Sequence, residues 1–206
     1  MDLGGLLAEH RLMAIIRGDD PSACERTAEV LVESGVRLLE VSLTSSDALG
    51  VLERITASIG SGAHIGAGTV LTARDARDAR EAGATFAVTP ALGEGVGTAL
   101  ELNLPVLAGA MTPTEVLAAH RAGATAVKLF PAGELGPGYL KALRDPFPRV
   151  PMVPVGGVGL DDMRAYLAAG ALAVGVGSPL AGDAPNGGDL GELRRRAAEF
   201  VAVARG

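Results

Sequence analysis

Residues 125–140, TAVKLFPAGELGPGYL, contain an apolar run that a single charged residue, Lys128, interrupts. A short, continuous apolar run is typical of a strand that is buried on both faces, as in a parallel sheet. Pro131 follows directly, and because proline cannot extend a central strand, Lys128 is expected near the strand's C-terminal end. The stretch therefore predicts an α/β protein with a buried lysine at the end of one strand.

Similar apolar runs recur along the whole chain, and helical stretches separate them. The predicted strands are residues 12–17, 36–43, 63–68, 85–90, 104–110, 125–130, 151–157 and 171–178. A short helix over residues 2–10 precedes the first strand, and each strand-plus-helix unit spans about 26 residues. Eight such units predict a single-domain (β/α)8 TIM barrel over residues 1–206, with a doubly wound open sheet as the alternative.

A short signature marks the joint between a helix and the following strand in four of these units. Residues 33–36 read ESGV, 81–84 read EAGA, 121–124 read RAGA and 169–171 read AGA. The glycine is expected to end each helix in the left-handed backbone conformation. The repetition favours eight similar units and hence closure into a barrel.

The composition leads us to expect a cytoplasmic protein. Hydrophobic residues make up 48% of the 206 residues and aromatic residues only 3%, so the core must consist of Ala, Val, Leu and Ile. The net charge of −6 argues against a nucleic-acid or membrane partner. Cys24 is the single cysteine, which excludes an internal disulfide. No apolar run of about 18 residues suggests a membrane span, and residues 1–20 lack a signal-peptide pattern.

Polar residues interrupt several predicted strands near their C-terminal ends, where a (β/α)8 barrel builds its active site. Arg17 ends the first strand, Glu40 lies in the second, and Lys128 in the sixth. Thr69 follows the third strand and Pro90 closes the fourth. The three charged residues could form a buried ion network that only satisfies itself. Buried ion pairs stabilise less than apolar packing does, so a functional role is favoured.

The chemistry of a buried amine gives Lys128 a specific candidate role. Burial disfavours the charged form of a lysine, and a neutral amine is a nucleophile for carbonyl carbon. The alternative is a structural lysine that is paired with a carboxylate in the core.

Glycine-rich turns follow the last two predicted strands. They read VGGV at residues 155–158 and GVGS at 175–178, and each precedes a helical segment. In barrels this is the usual position of a phosphate, which backbone N–H groups bind. The alternative is a tight turn without a ligand. Two such turns on adjacent strands favour phosphate.

No residue pattern predicts a metal or an organic cofactor. His10, His64 and His120 are scattered, and no carboxylate–histidine spacing resembles a ligand set. Residues 66–71, GAGTVL, lack the third glycine of a dinucleotide fingerprint. We therefore expect an amine chemistry without metal or cofactor.

Six blocks of the sequence resemble one known family. They are LLEVSLTS (38–45), IGAGTVLT (65–72), FAVTP (86–90), VKLFPA (127–132), VPVGGV (153–158) and VGVGS (174–178). Over nearly its whole length the chain is similar to 2-keto-3-deoxy-6-phosphogluconate (KDPG) aldolase. It is also similar to the related 4-hydroxy-2-oxoglutarate (KHG) and 2-keto-3-deoxy-6-phosphogalactonate (KDPGal) aldolases.

The resemblance implies a reaction and a set of site residues. The reaction is the reversible cleavage of KDPG to pyruvate and glyceraldehyde 3-phosphate, without a cofactor and in a homotrimer. Lys128 would form a Schiff base with the C2 carbonyl of the substrate, and Glu40 would be the general acid/base. The substrate-binding residues that the matching blocks imply are Thr69, Pro90, Phe130, Gly156, Gly157, Gly177 and Ser178.

Two positions depart from the family pattern and leave the exact sugar acid open. Many members bind the substrate carboxylate with an arginine at the position where this chain has Thr44. Other members carry that arginine at the end of the first strand, where this chain has Arg17. Many members have threonine where this chain has Val155. The alternatives are KHG aldolase, KDPGal aldolase or a 2-oxo-acid decarboxylase with the same imine chemistry, and a non-catalytic phosphosugar-binding barrel.

Overall fold

A closed ring of eight parallel strands forms the centre of the computed structural model, which describes residues 2–206. The strands are β1 (Leu12–Ile16), β2 (Leu38–Ser42), β3 (His64–Gly68), β4 (Ala87–Val88), β5 (Val106–Ala110), β6 (Ala126–Leu129), β7 (Met152–Pro154) and β8 (Val174–Val176). Their order in the sheet is β7-β6-β5-β4-β3-β2-β1-β8, and every ladder is parallel.

The ring closes between β7 and β8. Fewer contacts join these two strands than join any other pair of neighbouring strands. Val155 and Gly175 form a single parallel bridge there, and the backbone N–H of Leu172 donates to the carbonyl oxygen of Met152 at 2.9 Å. Because these contacts connect the two ends of the strand order, the architecture is a barrel and not an open sheet. The predicted (β/α)8 barrel with its short N-terminal helix is confirmed.

Helices surround the barrel and connect its strands. They are α1 (Leu3–His10), α2 (Pro21–Glu33), α3 (Ala48–Ile59), α4 (Ala73–Glu81), α5 (Glu94–Glu101), α6 (Pro113–Arg121), α7 (Ala132–Arg144), α8 (Leu160–Ala168), α9 (Ser178–Ala181) and α10 (Leu190–Arg205). Gly136, with φ 72° and ψ 163°, kinks α7. The four repeated signature glycines all have φ between 93° and 99°, as the left-handed helix ends required. No helix of the described residues is long and apolar enough to cross a membrane.

The inside of the barrel is filled by alternate residues of the strands, and α1 closes its lower end. Leu3 and Leu7 of α1 pack in the same buried cluster as Met13 and Phe86. Successive strand residues point to opposite sides, so the inward set on β2 is residues 38, 40 and 42, and on β6 residues 126 and 128. Glu40 and Lys128 therefore belong to the interior of the barrel.

The structure departs from the predicted elements in the lengths of three strands and in several short helices. β7 and β8 are shorter than the predicted 151–157 and 171–178, and a 3-10 helix, Gly60–Gly62, follows α3. The fourth strand is only Ala87–Val88, although neighbouring backbone groups still bond, as the N–H of Ala67 does to the carbonyl oxygen of Phe86 at 3.0 Å. The turn-rich segment 182–188 contains a 3-10 helix, Ala184–Asn186, and the four-residue helix α9 precedes it. These short helices are too brief to show a periodic apolar pattern.

Candidate active site

The C-terminal ends of β1, β6, β7 and β8 open into a cavity of about 310 Å³. Its lining residues are Ile15, Arg17, Glu40, Lys128, Phe130, Val155, Gly156, Gly157, Gly177, Ser178, Pro179, Ala181, Gly182 and Asn186. A larger cleft of about 470 Å³, lined by Arg11 and Arg164 among others, lies at the opposite end of the barrel. The first cavity combines a buried amine with a buried carboxyl group, whereas the residues that line the larger cleft include no lysine and no acidic side chain.

Glu40 lies deep in this cavity on β2, where its carboxyl group packs against Gly68 of β3. Its side chain is 1% exposed, and its Oε2 atom has no hydrogen-bond partner within residues 2–206. A methyl group on Gly68 would overlap the carboxyl group, so only glycine leaves room for it there. Burial raises the pKa of Glu40, although the positive charges of Lys128 and Arg17 act in the opposite direction. A carboxyl group with a raised pKa and a free oxygen is suited to carrying a proton.

Lys128 lies across the barrel from Glu40 on β6, between Gly109 of β5 and Val153 of β7. It is 5% exposed, and its Nζ lies 5.1 Å from the centre of the Phe130 ring. Among the described residues, no carboxylate oxygen approaches Nζ within the 4.0 Å of an ion pair. The alternative of a structural lysine held by a core carboxylate is therefore not what the structure shows.

Arg17 lines the cavity just after β1, and a serine that the sequence analysis did not single out holds it. Its Nε donates to Oγ of Ser42 at 3.3 Å. Ser42 is buried and its Oγ also lies 2.8 Å from Oγ1 of Thr44 and 3.1 Å from Oγ1 of Thr69. The only sequence signal for Ser42 was its spacing of two residues from Glu40, which puts both on the inward face of β2.

The two glycine turns form the opposite wall. Gly156 and Gly157 have φ of 96° and 72°, and a methyl group on Gly156 would lie 2.9 Å from the Phe130 ring. Gly177 and Ser178 begin α9, whose last carbonyl oxygens, those of Leu180 and Ala181, accept hydrogen bonds from Arg196 of α10 at 2.8 and 3.1 Å. The structure thus brings both turns to one cavity.

Eight of the ten residues singled out from the sequence line the cavity, and Thr69 and Pro90 do not. Thr69 is half-buried beside it with φ 60°, linked to Arg17 through Ser42. Pro90 is half-buried, and its carbonyl group lies against Gly109. The substrate contacts of Thr69 and Pro90 stay predictions.

Asn186 is a lining residue that the sequence analysis missed. Its Oδ1 accepts a hydrogen bond from the backbone N–H of Asp19 at 2.8 Å, which ties segment 182–188 to the end of β1. The turn-rich composition of this segment indicates a loop, but it does not show where that loop docks. Over residues 2–206 no group of three or more His, Cys, Asp or Glu side chains is arranged to hold a metal ion.

Comparison with known proteins identifies the family. The sequence model of the family described as KDPG and KHG aldolase matches residues 4–193. A probable 2-dehydro-3-deoxy-6-phosphogalactonate aldolase of Rhizobium meliloti is 35% identical, over 95% of this chain and 92% of the relative. A 2-dehydro-3-deoxy-phosphogluconate aldolase of Pseudomonas aeruginosa is 36% identical, over 79% of this chain and 74% of the relative.

A solved structure adds chemical detail. The KDPG aldolase of Legionella pneumophila, with pyruvate captured at low pH as a covalent carbinolamine intermediate, superposes with a TM-score of 0.83. It is 26% identical, and the match covers 98% of this chain and 96% of that one. The resemblance seen in the sequence blocks is thus confirmed over the whole barrel, and the chain belongs to the KDPG and KHG aldolase family.

Proposed function

We propose that the protein is a Schiff-base aldolase that reversibly cleaves KDPG to pyruvate and glyceraldehyde 3-phosphate. The observation that carries the proposal is the buried amine of Lys128, which no carboxylate of the described residues pairs, inside a barrel that also holds the buried carboxyl group of Glu40. A fold gains nothing in stability from such an amine, whereas carbonyl chemistry requires one. The covalent pyruvate intermediate of the Legionella relative supports the same reading.

The first step forms the covalent intermediate. The neutral amine of Lys128 attacks the C2 carbonyl carbon of the keto acid and gives a carbinolamine. Loss of water then leaves an iminium ion, whose positive charge can accept the electron pair of a neighbouring bond. The carboxyl group of Glu40 supplies and removes the protons that these steps exchange.

The second step breaks the carbon–carbon bond. Glu40, directly or through a water, removes the proton of the C4 hydroxyl group, and the electrons of the C3–C4 bond flow into the iminium ion. The aldehyde leaves as glyceraldehyde 3-phosphate, and the resulting enamine takes up a proton at C3. Water then hydrolyses the pyruvate imine and restores Lys128. Atoms and electrons balance without an added cofactor.

The ends of the substrate need groups of opposite charge. Arg17 is the candidate partner of the C1 carboxylate, because its guanidinium lines the cavity while Ser42 holds its Nε. Gly156, Gly157, Gly177 and Ser178 are the candidate phosphate site, since both turns face the same cavity.

Two other keto acids are alternative substrates of this chemistry. The relative from Rhizobium meliloti is named a probable KDPGal aldolase, and Val155 lines the cavity where many relatives carry threonine. KDPGal, and KHG without a phosphate, would use the same imine chemistry. Cleavage rates on KDPG, KDPGal and KHG, measured as pyruvate release, separate the three.

The assembly and compartment are further parts of the proposal. A homotrimer would cover the apolar side chains of Leu71, Leu92 and Met111, which are 52%, 36% and 43% exposed in loops after three neighbouring strands. A single buried cysteine fits the reducing cytoplasm.

Reductive trapping tests the mechanism with a built-in control, because Lys128 and Lys141 are the only two lysines of the chain. Incubation with pyruvate and borohydride should label the peptide that contains Lys128. Lys141, exposed on α7, should stay unlabelled.

Two variants complete the test. Lys141→Arg should be labelled and active like the wild type, whereas Lys128→Arg should be folded, unlabelled and inactive because a guanidinium stays protonated. Labelling that persists in Lys128→Arg, or activity without any labelling, would rule out the proposed mechanism.

A further inference from the structure

The segment that follows β8 presents one polar side chain that the proposed chemistry has not used. The 3-10 helix Ala184–Asn186 brings Asn186 to the wall of the cavity, which it shares with Ser178. We propose that the side-chain amide of Asn186 binds the phosphate of the substrate and makes the enzyme selective for phosphorylated keto acids. The inference rests on the proposed aldolase function and adds to it a residue that sets selectivity.

The orientation of the amide follows from its neighbour. The backbone N–H of Asp19 lies 2.8 Å from Oδ1 of Asn186, and because that group can only donate, the atom that faces it must be the oxygen. The NH2 group is therefore on the other side. One of its two N–H bonds reaches Oδ1 of Asp183 at 3.4 Å, which leaves the second for a ligand.

The backbone that carries Asn186 is held firmly against the rest of the barrel. Sγ of Cys24 on α2 lies 3.5 Å from the carbonyl oxygen of Pro185, and Gly18 packs so closely on Pro185 that a methyl group there would overlap it. The N–H of Gly188 donates to the carbonyl oxygen of Asp183 at 2.9 Å. A donor on a fixed backbone binds a ligand at little cost in conformational entropy.

The position of Asn186 fits the far end of a substrate that is attached to Lys128. Lys128 is 5% exposed at the bottom of the cavity, whereas Asn186 and Ser178 are exposed at its mouth. A keto acid whose C2 carbon is bonded to Lys128 extends its other end toward the mouth. A phosphate there presents only acceptor oxygens, and the free N–H of Asn186 is a donor.

Two variants of Asn186 separate a binding role from a structural one. Asn186→Asp keeps an acceptor for the N–H of Asp19, but it removes the donor and places a negative charge beside the phosphate. Asn186→Ala removes both groups. The substrates are KDPG and 2-keto-3-deoxygluconate, which differ only by the phosphate.

We expect the wild type to prefer KDPG. Asn186→Ala should lower kcat/KM for KDPG about ten-fold and leave the unphosphorylated substrate unchanged. Asn186→Asp should lower kcat/KM for KDPG further, about a hundred-fold, and added salt should recover part of that loss because salt screens the repulsion. Labelling by pyruvate and borohydride, which does not need the far end of the site, should be normal in both variants and shows that they are folded.

If Asn186 has a purely structural role, alanine should be the more damaging of the two substitutions. Asn186→Asp would then behave like the wild type, and Asn186→Ala would lose activity equally on both substrates; either result overturns the inference. A wild type that forms the imine but does not prefer KDPG overturns the inference and leaves the imine chemistry intact. A wild type that forms no imine and cleaves neither substrate overturns the proposed function, and this inference with it.

Discussion

Replacing Gly68 by alanine should displace the carboxyl group of Glu40 without changing its chemistry. Gly68 lies inside the barrel on β3, next to the strand that carries Glu40. A methyl group at Gly68 would lie 2.5 Å from Cγ of Glu40 and still closer to the carboxyl group. Glu40 is 1% exposed, so its side chain cannot move aside into solvent without repacking the cavity.

The size of the effect follows from this geometry. Carbon atoms that are not bonded stay about 3.5–4.0 Å apart, so the carboxyl group must shift by about 1 Å. A misplacement of that size costs about 100-fold in rate, and overpacking lowers the free energy of unfolding by about 1–3 kcal/mol. Lys128 is not touched, so labelling by pyruvate and borohydride should still reach completion, although more slowly, while kcat for cleavage falls about 100-fold.

A double-mutant cycle with Glu40→Gln checks the explanation. Once the carboxyl group is gone, the added methyl group should cost little further activity. Gly66→Ala is the matched control, because a methyl group at Gly66 on the same strand would crowd the Phe86 ring instead of Glu40. It should destabilise the barrel but spare kcat. Full kcat in Gly68→Ala, or an equal loss in the Glu40→Gln background, would refute the reasoning.

Two further predictions concern the charges in the barrel. Lys128→Met should abolish cleavage yet raise the free energy of unfolding by about 1–3 kcal/mol in urea titrations. The reason is that it replaces a buried amine, which has no carboxylate partner among residues 2–206, by an apolar side chain of similar length. A loss of stability would show that other groups compensate the buried amine. Because burial raises the pKa of Glu40 above its ordinary value of 4.5, the folded protein binds more protons than the unfolded chain above pH 4.5, so stability falls as pH rises through the folded pKa. Glu40→Gln should therefore gain stability relative to the wild type as pH rises from 4.5, and a difference that does not change with pH would contradict the raised pKa.

The barrel and its two central side chains could be predicted from the sequence because both depend on local patterns. Apolar runs and glycine-ended helices recur in each unit, and parallel strands point their C-terminal ends the same way. Glu40 and Lys128 were conspicuous as charges within apolar runs. A barrel brings the C-terminal ends of all its strands to one face, so it also brings these two residues to one cavity.

The remaining features depend on contacts between distant parts of the chain. Ser42 joins Arg17 to Thr69 only because β1, β2 and β3 are neighbours in a particular register, and a serine in a strand gives no sign of this. Asn186 reaches the site through a hydrogen bond to Asp19, 167 residues away in the chain. The fit of Gly68 to Glu40 is likewise a matter of distance rather than of pattern.

The closure between β7 and β8 places the barrel's weakest junction inside the candidate phosphate site. Every other pair of adjacent strands shares two or more residue pairs, but this junction has a single bridge, Val155–Gly175. Local opening should therefore need the least free energy there. Gly156 and Gly157 follow β7, and Gly177 follows β8. A ligand that binds both turns therefore joins the two strands through contacts that the backbone does not provide. Substrate bound in this way would also stabilise the closed barrel. The resistance of the protein to unfolding and to proteolysis should then increase with the fraction of sites that are occupied.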